Sequence, residues 1–251
     1  MDLVVTAAGQ GKRTGLDGHL RKEMLPVYDA VEARVVLRPV IDVILRKYAA
    51  LGVEREIVVL NPADRVTIDY LERFHPEAIP VYQERPDGFG DAVLRAAEYV
   101  RSRKFFLNAG DGFLLDMDPV SFGADLTARG NADNVLITMR VTDPSRYGVA
   151  IIDTRHGRYS SVRYVVEKPA RRISNLALCA AYVLDSDVFR RISSSDGISE
   201  LTPAINNMVM NGYRTASVTT PRSNWISINL GEEYAAVLRK TLTSSRNALV
   251  K

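Results

Sequence analysis

Cysteine is almost missing from this chain, which contains one such residue among 251. Cys179 has no partner for an internal disulfide, and its apolar surroundings indicate a small buried hydrophobe rather than a nucleophile. Long apolar runs are also missing, since no stretch of eighteen apolar residues occurs, and the first residues do not have the pattern of a secretory signal. These absences predict a cytoplasmic protein without a membrane span.

Strong charge of one sign is lacking too. The formal net charge is +3, from 33 basic and 30 acidic residues, and no block of five or six like charges occurs. A nucleic-acid partner is therefore not expected. With 46% hydrophobic residues the chain is long enough to bury one sizeable core. No linker-like segment divides it, so we expect a single domain over residues 1–251.

Apolar strands alternate with amphipathic helices through the first half of the chain. The predicted elements are strands over 3–8, 56–60, 80–82 and 105–108, with helices over 40–51, 66–74 and 92–100. This alternation predicts an α/β fold with a doubly wound, mostly parallel, Rossmann-like sheet. Ligands of such sheets bind at the carboxyl ends of the strands.

The second half is richer in strands. Strands are predicted over 135–141, 148–152, 161–167 and 177–184, and helices over 186–192, 202–211 and 232–243. We therefore expect an α/β half over residues 1–130 and a β-rich half over residues 131–251.

The most informative motif is the glycine-rich loop after the first strand, AAGQGKR over 7–13. Glycines let backbone N–H groups approach an oxyanion without interference from a Cβ atom. Arg13 and Lys22 add fixed positive charge, so this region suits a polyphosphate. Taken alone, the segment is also compatible with a strand–helix turn that carries surface charges.

Two common nucleotide motifs do not fit this loop. The dinucleotide fingerprint needs a third glycine where Thr14 stands, and an acidic residue about twenty positions further on at the end of a second strand, which is lacking. A P-loop needs glycine at position 6 and Ser or Thr at position 13, where the chain has Thr6 and Arg13. A nicotinamide-dependent oxidoreductase is therefore disfavoured.

Several motifs in a common order resemble the sugar nucleotidyltransferases. The resemblance is strongest to the UTP–glucose-1-phosphate uridylyltransferases, with the glucose-1-phosphate thymidylyltransferases next. The matching segments are AAGQGKR at 7–13, KEMLP at 22–26, Gln83 with GFGDAV at 88–93, Gly110-Asp111, YGV at 147–149, EKP at 167–169, SNLA at 174–177 and ELT at 200–202. The resemblance implies that residues 1–130 bind the nucleotide and that residues 131–251 bind the sugar phosphate.

The resemblance implies a nucleotidyl transfer. A phosphate oxygen of a sugar 1-phosphate, with glucose 1-phosphate as the expected sugar, would attack the α-phosphorus of a nucleoside triphosphate, and pyrophosphate would leave. UTP is the expected nucleotide, and dTTP stays an alternative because uracil and thymine differ by one methyl group. A catalytically weak, nucleotide-binding regulatory homologue is the other alternative. The family also leads us to expect a homo-oligomer.

The resemblance assigns roles to individual residues. Arg13 would bind the β- and γ-phosphates, Lys22 the α-phosphate and Lys168 the sugar phosphate. The other candidates for nucleotide binding are Ala7, Ala8, Gly9, Gly11, Gln83 and Gly88, of which Gln83 offers a donor and an acceptor to the imide edge of uracil or thymine. The other candidates for sugar-phosphate binding are Gly148, Glu167 and Asn175.

Magnesium is the expected cofactor, and its site departs from the family pattern. Mg²⁺ takes one or two carboxylates, with phosphate oxygens and waters as its other ligands. Asp111 is the candidate ligand, a turn aspartate being the alternative. The family's Trp-x-Asp-x-Gly segment reads WISIN over 225–229 here, so Ser227 stands at the usual second-ligand position and Asn229 replaces the glycine. A hydroxyl is a poorer ligand, so we expect lower metal affinity.

Overall fold

The computed structural model describes residues 1–9, 20–195, 197–228 and 231–250. Its helices are α1 (Val40–Ala49), α2 (Arg65–Phe74), α3 (Phe89–Arg95), α4 (Asp118–Ala128), α5 (Leu201–Met210) and α6 (Gly231–Ala248). Its strands are β1 (Asp2–Ala7), β2 (Pro26–Val31), β3 (Arg34–Pro39), β4 (Glu56–Leu60), β5 (Ile79–Tyr82), β6 (Lys104–Ala109), β7 (Gly112–Leu114), β8 (Asn134–Arg140), β9 (Val149–His156), β10 (Tyr159–Val166), β11 (Leu176–Asp185), β12 (Ser194–Ser195), β13 (Ile198–Ser199), β14 (Thr215–Thr220) and β15 (Trp225–Ser227). Short 3₁₀ helices cover Lys22–Met24, Ser186–Arg191 and Arg222–Asn224.

Nine strands form one sheet in the order β5-β4-β1-β6-β11-β8-β14-β10-β9. The first four are parallel neighbours, with Val4 of β1 opposite Ile57 on one side and Leu107 on the other. Further along, β8 and β14 are also parallel. In this sheet only β11 and β10 are antiparallel to their neighbouring strands and to the common direction of the other seven. The predicted mixed, mostly parallel sheet is confirmed, and strands from both halves of the chain join it.

Two hydrophobic cores lie on the two faces of the sheet. Leu3 and Val5 of β1 pack with α1 and α2 on one face, whereas Val4 packs with α3 and α5 on the other. Successive strand residues point to opposite faces, so a strand covered on both faces is apolar at every position. Burial of each such Leu or Ile side chain contributes about 1.5–3 kcal/mol. The pattern explains why β1 and β4 were recognisable as strands from the sequence.

The helices of the first half agree with the sequence except for α3. The apolar spacing predicted a helix over 92–100, but α3 spans Phe89–Arg95 and the following residues form turns. The predicted start at residue 92 was wrong, because Gly88, at φ +106°, lets the chain turn and the helix begin at Phe89. The helical N–H of Ala92 bonds to the carbonyl of Gly88.

Several strands escaped the sequence analysis. The hairpin β2–β3 turns through Glu32 and Ala33, which adopt φ values of 47° and 61°, as its two-residue turn requires but without the usual glycine. The polar strand β14 (TASVTT) lies inside the large sheet. Among the residues described, no helix combines the length and the apolarity of a membrane span.

Candidate functional site

A cavity of about 340 Å³ opens at the carboxyl ends of β1 and β6. Most of the residues predicted to bind nucleotide or metal line it, namely Ala7, Ala8, Gly9, Lys22, Gln83, Gly88 and Asp111. Two predicted residues, Gly11 and Arg13, lie outside the described residues. The topology brings these segments together because the carboxyl ends of parallel strands meet at one edge of a sheet.

Lys22 and Asp111 form an ion pair in this cavity, with 3.2 Å between Lys22 Nζ and Asp111 Oδ2. Lys22 belongs to the short 3₁₀ helix, and Asp111 follows β6. The lysine side chain is 12% exposed and the aspartate side chain 36% exposed, so the carboxylate is the more accessible of the two. The pair places a cation and an anion where a triphosphate and its counter-ion would meet.

Glu23, next to Lys22, is a buried acid that the sequence analysis quoted within a motif but gave no role. It is 4% exposed, and its Oε1 atom has no hydrogen-bond partner within the described part of the chain. Burial raises the pKa of Glu23 to about 8, and the carboxylates of Asp64 and Asp111 add to this effect. Glu23 is therefore protonated near neutral pH in the metal-free protein. The signal in the sequence that could have indicated a role for Glu23 was its position next to Lys22.

We expect Glu23→Gln to stabilise the metal-free protein at alkaline pH. The folded-state pKa of about 8 exceeds the ordinary value of 4.5. The stabilising contribution of the protonated acid is therefore complete below pH 4.5 and is lost as pH rises through 8. Glutamine keeps the shape and cannot ionise, so the variant should exceed the wild type by roughly 2 kcal/mol or more at pH 8 and by little at pH 4.

Urea unfolding between pH 4 and pH 9 measures this difference. Glu72→Gln, which changes an exposed carboxylate of α2, is the matched control and should follow the wild-type curve. Equal pH slopes for Glu23→Gln and the wild type would contradict the assignment.

Gln83 is buried and held by its amide nitrogen. Its Nε2 donates to Asp91 Oδ2 at 2.7 Å and to the carbonyl of Gly88 at 3.2 Å, and Asp91 is itself paired with Arg95. The sequence analysis assigned both the donor and the acceptor of this amide to a ligand. In the structure the donor is already engaged, so the carbonyl oxygen is the end that remains for a ligand N–H.

A second polar cluster forms around Glu167 and Lys168, after β10. Lys168 Nζ lies 3.1 Å from Glu167 Oε1, and the hydroxyl of Thr202 donates to Glu167 Oε2 at 2.6 Å. Burial raises the pKa of Glu200, the carboxylate of Glu167 adds to this, and the charge of Lys168 opposes it. The backbone of Lys168 adopts φ 39°, which lies in the left-handed region. Residues other than glycine rarely adopt this conformation, and those that do are frequent at functional sites. Thr202 and Glu200 lie in a segment that the sequence analysis matched without assigning roles.

Gly148 belongs to this cluster, and Asn175 has a different partner. A Cβ atom at position 148 would lie 3.0 Å from Glu167 Oε2 and 2.9 Å from Leu178 Cδ1, so glycine permits the close approach of the carboxylate. Asn175 accepts a hydrogen bond from Arg140 Nη1 at 3.1 Å. Three of the four predicted sugar-phosphate residues, Gly148, Glu167 and Lys168, thus come together. The fourth, Asn175, is hydrogen-bonded to Arg140, which lines another cavity.

The cavity and the second cluster are joined through Ser199 and Glu200. The N–H of Ser199 donates to the carbonyl of Asp87 at 2.8 Å. A Cβ atom at Gly88 would lie 2.3 Å from Ser199 O, and one at Gly90 would lie 2.8 Å from the carbonyl carbon of Glu200. These glycines allow the segment that follows Gln83 to pack directly on Ser199 and Glu200, which precede Thr202 of the second cluster.

Ser227 lies beside Asp111. In the ladder of β15 with β7, Ser227 stands opposite Gly112, and the N–H of Ile228 donates to the carbonyl of Asp111 at 3.0 Å. Asn229 lies outside the described residues. These contacts place the backbone of Ser227 next to that of Asp111, whose single accessible carboxylate fits a Mg²⁺ ion that takes most of its ligands from phosphates and water.

Known proteins resemble this chain over nearly its whole length. A family model described as nucleotidyl transferase matches residues 3–240. The bifunctional protein GlmU of Methanocaldococcus jannaschii is 26% identical over 227 residues, which cover 85% of this chain and 50% of that protein. The UTP–glucose-1-phosphate uridylyltransferase 2 of Staphylococcus saprophyticus is 24% identical over 239 residues, which cover 82% of this chain and 80% of the relative.

A solved structure of a UDP-glucose pyrophosphorylase in complex with UDP-glucose shares the fold. It is 18% identical, with a TM-score of 0.78 over 98% of both chains. The present chain spans about half the length of the GlmU proteins that it matches, at 50% and 52%.

Proposed function

Because the chain belongs to the nucleotidyl transferase family, we propose that it joins a nucleoside triphosphate to a sugar 1-phosphate and releases pyrophosphate. The observation that carries the proposal is the two-part site. The cavity with Lys22 and Asp111 suits a triphosphate, and the adjoining Glu167–Lys168 cluster suits a sugar phosphate. The direct packing of Gly88 and Gly90 on Ser199 and Glu200 supports a single site for both substrates.

The chemistry needs positioning and charge neutralisation rather than a protein nucleophile. A phosphate oxygen of the sugar 1-phosphate forms a bond to the α-phosphorus while the bond from that phosphorus to the bridging oxygen breaks, and pyrophosphate carries away the electron pair. Lys22 neutralises charge that accumulates on the α-phosphate, and Lys168 holds the attacking phosphate. The backbone of Ala8 and Gly9 approaches the phosphates, and Arg13 would bind the leaving group.

Asp111 would hold the magnesium ion, together with phosphate oxygens. Bound there, the ion would supply further neutralisation of phosphate charge. To bind the ion, the carboxylate of Asp111 would have to interact both with the metal and with Lys22, whose Nζ lies 3.2 Å from Asp111 Oδ2. The carboxylate is more exposed than the lysine, so it is the group of the pair that a ligand in the cavity can reach.

We propose UTP and glucose 1-phosphate as the preferred substrates. The carbonyl oxygen of Gln83 can accept the imide N–H that uracil and thymine share. The similarity to the Staphylococcus saprophyticus UTP–glucose-1-phosphate uridylyltransferase 2 supports uracil. A weakly active nucleotide-binding homologue is the second candidate, because Ser227 occupies the position where the family usually has a carboxylate.

Pyrophosphate release separates these candidates. The protein is incubated with Mg²⁺ and each of UTP, dTTP, CTP and GTP, in combination with glucose 1-phosphate and N-acetylglucosamine 1-phosphate. We expect the largest kcat/KM for UTP with glucose 1-phosphate. Nucleotide binding without pyrophosphate release in any combination would contradict the enzymatic proposal and favour the regulatory one.

Ser227→Asp should strengthen magnesium binding. A second carboxylate beside Asp111 adds the stronger ligand type, so the Mg²⁺ concentration that gives half the maximal rate should fall by about tenfold. Ser223→Asp, which adds the same charge at an exposed position of the neighbouring 3₁₀ helix, is the matched control. The metal argument fails if both variants change the Mg²⁺ dependence equally, or if neither does.

A further inference from the structure

A second group of ligand-type side chains lies at the edge of the sheet opposite the cavity. Glu56 is the first residue of β4, His75 follows the last residue of α2, and Glu77 precedes β5. Each of the three side chains offers one ligand atom, and these atoms all lie within 4.8 Å of one another. One imidazole nitrogen and two carboxylate oxygens, from three segments that are adjacent in the fold, therefore lie close together.

Glu56 is a buried acid with an unsatisfied oxygen. The residue is 8% exposed, and its Oε2 atom has no hydrogen-bond partner among the residues that the structure describes. A buried carboxyl group without a partner is costly, and in proteins it is normally paired or bound to a metal. The unsatisfied oxygen is therefore available as a ligand atom.

Asp42 orients the imidazole of His75. Asp42 Oδ1 lies 2.7 Å from His75 Nε2, and Asp42 is 1% exposed. Arg38 and Arg46 also bond to this carboxylate, at 2.8 Å and 3.1 Å. Since the carboxylate can only accept, Nε2 donates to it, and Nδ1 is the ring nitrogen left for another partner. A carboxylate behind a histidine is the usual arrangement around a metal-binding imidazole.

We propose that Glu56, His75 and Glu77 bind one divalent cation of the zinc class, with water as a further ligand. A mixed set of one imidazole and two carboxylates favours Zn²⁺ over Mg²⁺, which prefers oxygen ligands alone. Ligand atoms around a tetrahedral zinc ion stand about 3.4 Å apart. The three atoms lie within 4.8 Å of one another, and the exposed side chain of Glu77 can supply any movement that a bound ion requires.

The role that this geometry supports is structural. The ion would connect the start of β4 to the end of α2 and to the segment before β5. It would also neutralise the buried carboxylate of Glu56. Its place at the amino ends of β4 and β5 separates it from the nucleotide cavity, so the site is independent of the proposed transferase activity.

The test is a Zn²⁺ titration of the chelator-stripped full chain, followed by competition with a chromophoric chelator. An Asp111→Asn background removes the candidate magnesium ligand, so that one site remains. We expect one equivalent of Zn²⁺ to bind with micromolar or tighter affinity. At a free Zn²⁺ concentration of 100 times Kd, the Tm should rise by about 5 °C or more.

Glu77→Gln is the decisive variant, because an exposed side chain can be changed without disturbing the core. Its Tm without zinc should equal that of the background protein, and its zinc affinity should fall by about tenfold or more. Glu72→Gln, an exposed carboxylate on α2, is the control and should keep full affinity. Unchanged affinity in Glu77→Gln, or no zinc binding by the background protein, overturns the proposal and leaves a histidine–carboxylate ion pair in its place.

Discussion

Replacing Lys22 with methionine is expected to lower kcat by about 10²- to 10³-fold, with a much smaller effect on the KM for UTP. Methionine keeps the length of the side chain and removes its charge. The charge matters most in the transition state, where negative charge on the transferring phosphate is largest, so the loss falls on turnover rather than on binding. Steady-state kinetics of pyrophosphate release measures the effect.

Two controls make the Lys22 experiment specific. Arg34→Met removes an exposed cation of the hairpin β2–β3 and should leave kcat unchanged. Because Lys22 is paired with Asp111, the loss could instead arise through altered metal binding. In that case a higher Mg²⁺ concentration would restore the rate. We expect no such rescue, and a rate that recovers with Mg²⁺ would contradict the direct role of Lys22.

The second large effect concerns stability, in Asp42→Asn. Asp42 accepts from Arg38 and Arg46 and faces His75, and these partners hold its pKa at about 2 despite burial. Because this value is below the ordinary 3.8, the contribution is present above pH 3.8 and is lost as pH falls through 2. Asparagine removes the charge, so we expect a loss of roughly 2–3 kcal/mol at pH 7.

Chemical unfolding at pH 7 and at pH 3 checks the Asp42 prediction. The difference between Asp42→Asn and the wild type should shrink toward low pH, because at pH 3 the unfolded chain, with the ordinary pKa of 3.8, already binds a proton that the folded carboxylate does not. Asp69→Asn changes an exposed aspartate on α2 and should alter stability by less than about 0.5 kcal/mol. A difference that is the same at both pH values would show that the charge of Asp42 contributes little.

Much of the lining of the candidate nucleotide cavity could be predicted because its signals are local. Each signal is a short motif at a strand end, and the parallel sheet then places those ends together, as it does for Gly9, Gln83 and Asp111. The site roles, the magnesium ion, the division at residue 130, the homo-oligomer and the cytoplasmic location stay predictions. The role of Asn175 in sugar-phosphate binding likewise stays a prediction, and its side chain accepts a hydrogen bond from Arg140.

Other features could not be predicted because they depend on burial by distant segments. The strand β14 is polar in sequence and became a central strand only because β8 and β10 flank it. Glu23 is an ordinary acid in sequence, and its raised pKa comes from the elements that enclose it. The convergence of Glu56 with His75 requires the β4–α2–β5 crossover.

The sequence by itself determined the fold class and the family, because apolar periodicity and short motifs are properties of neighbouring residues. The tertiary structure alone decided which polar groups are buried and which are paired. It joined Ser199 and Glu200 to the nucleotide cavity, placed Ser227 beside Asp111 and left Glu56 with an unsatisfied oxygen. The physical reason is that the free energy of a charge depends on the solvent and partners around it, and these are set by residues far away in the chain.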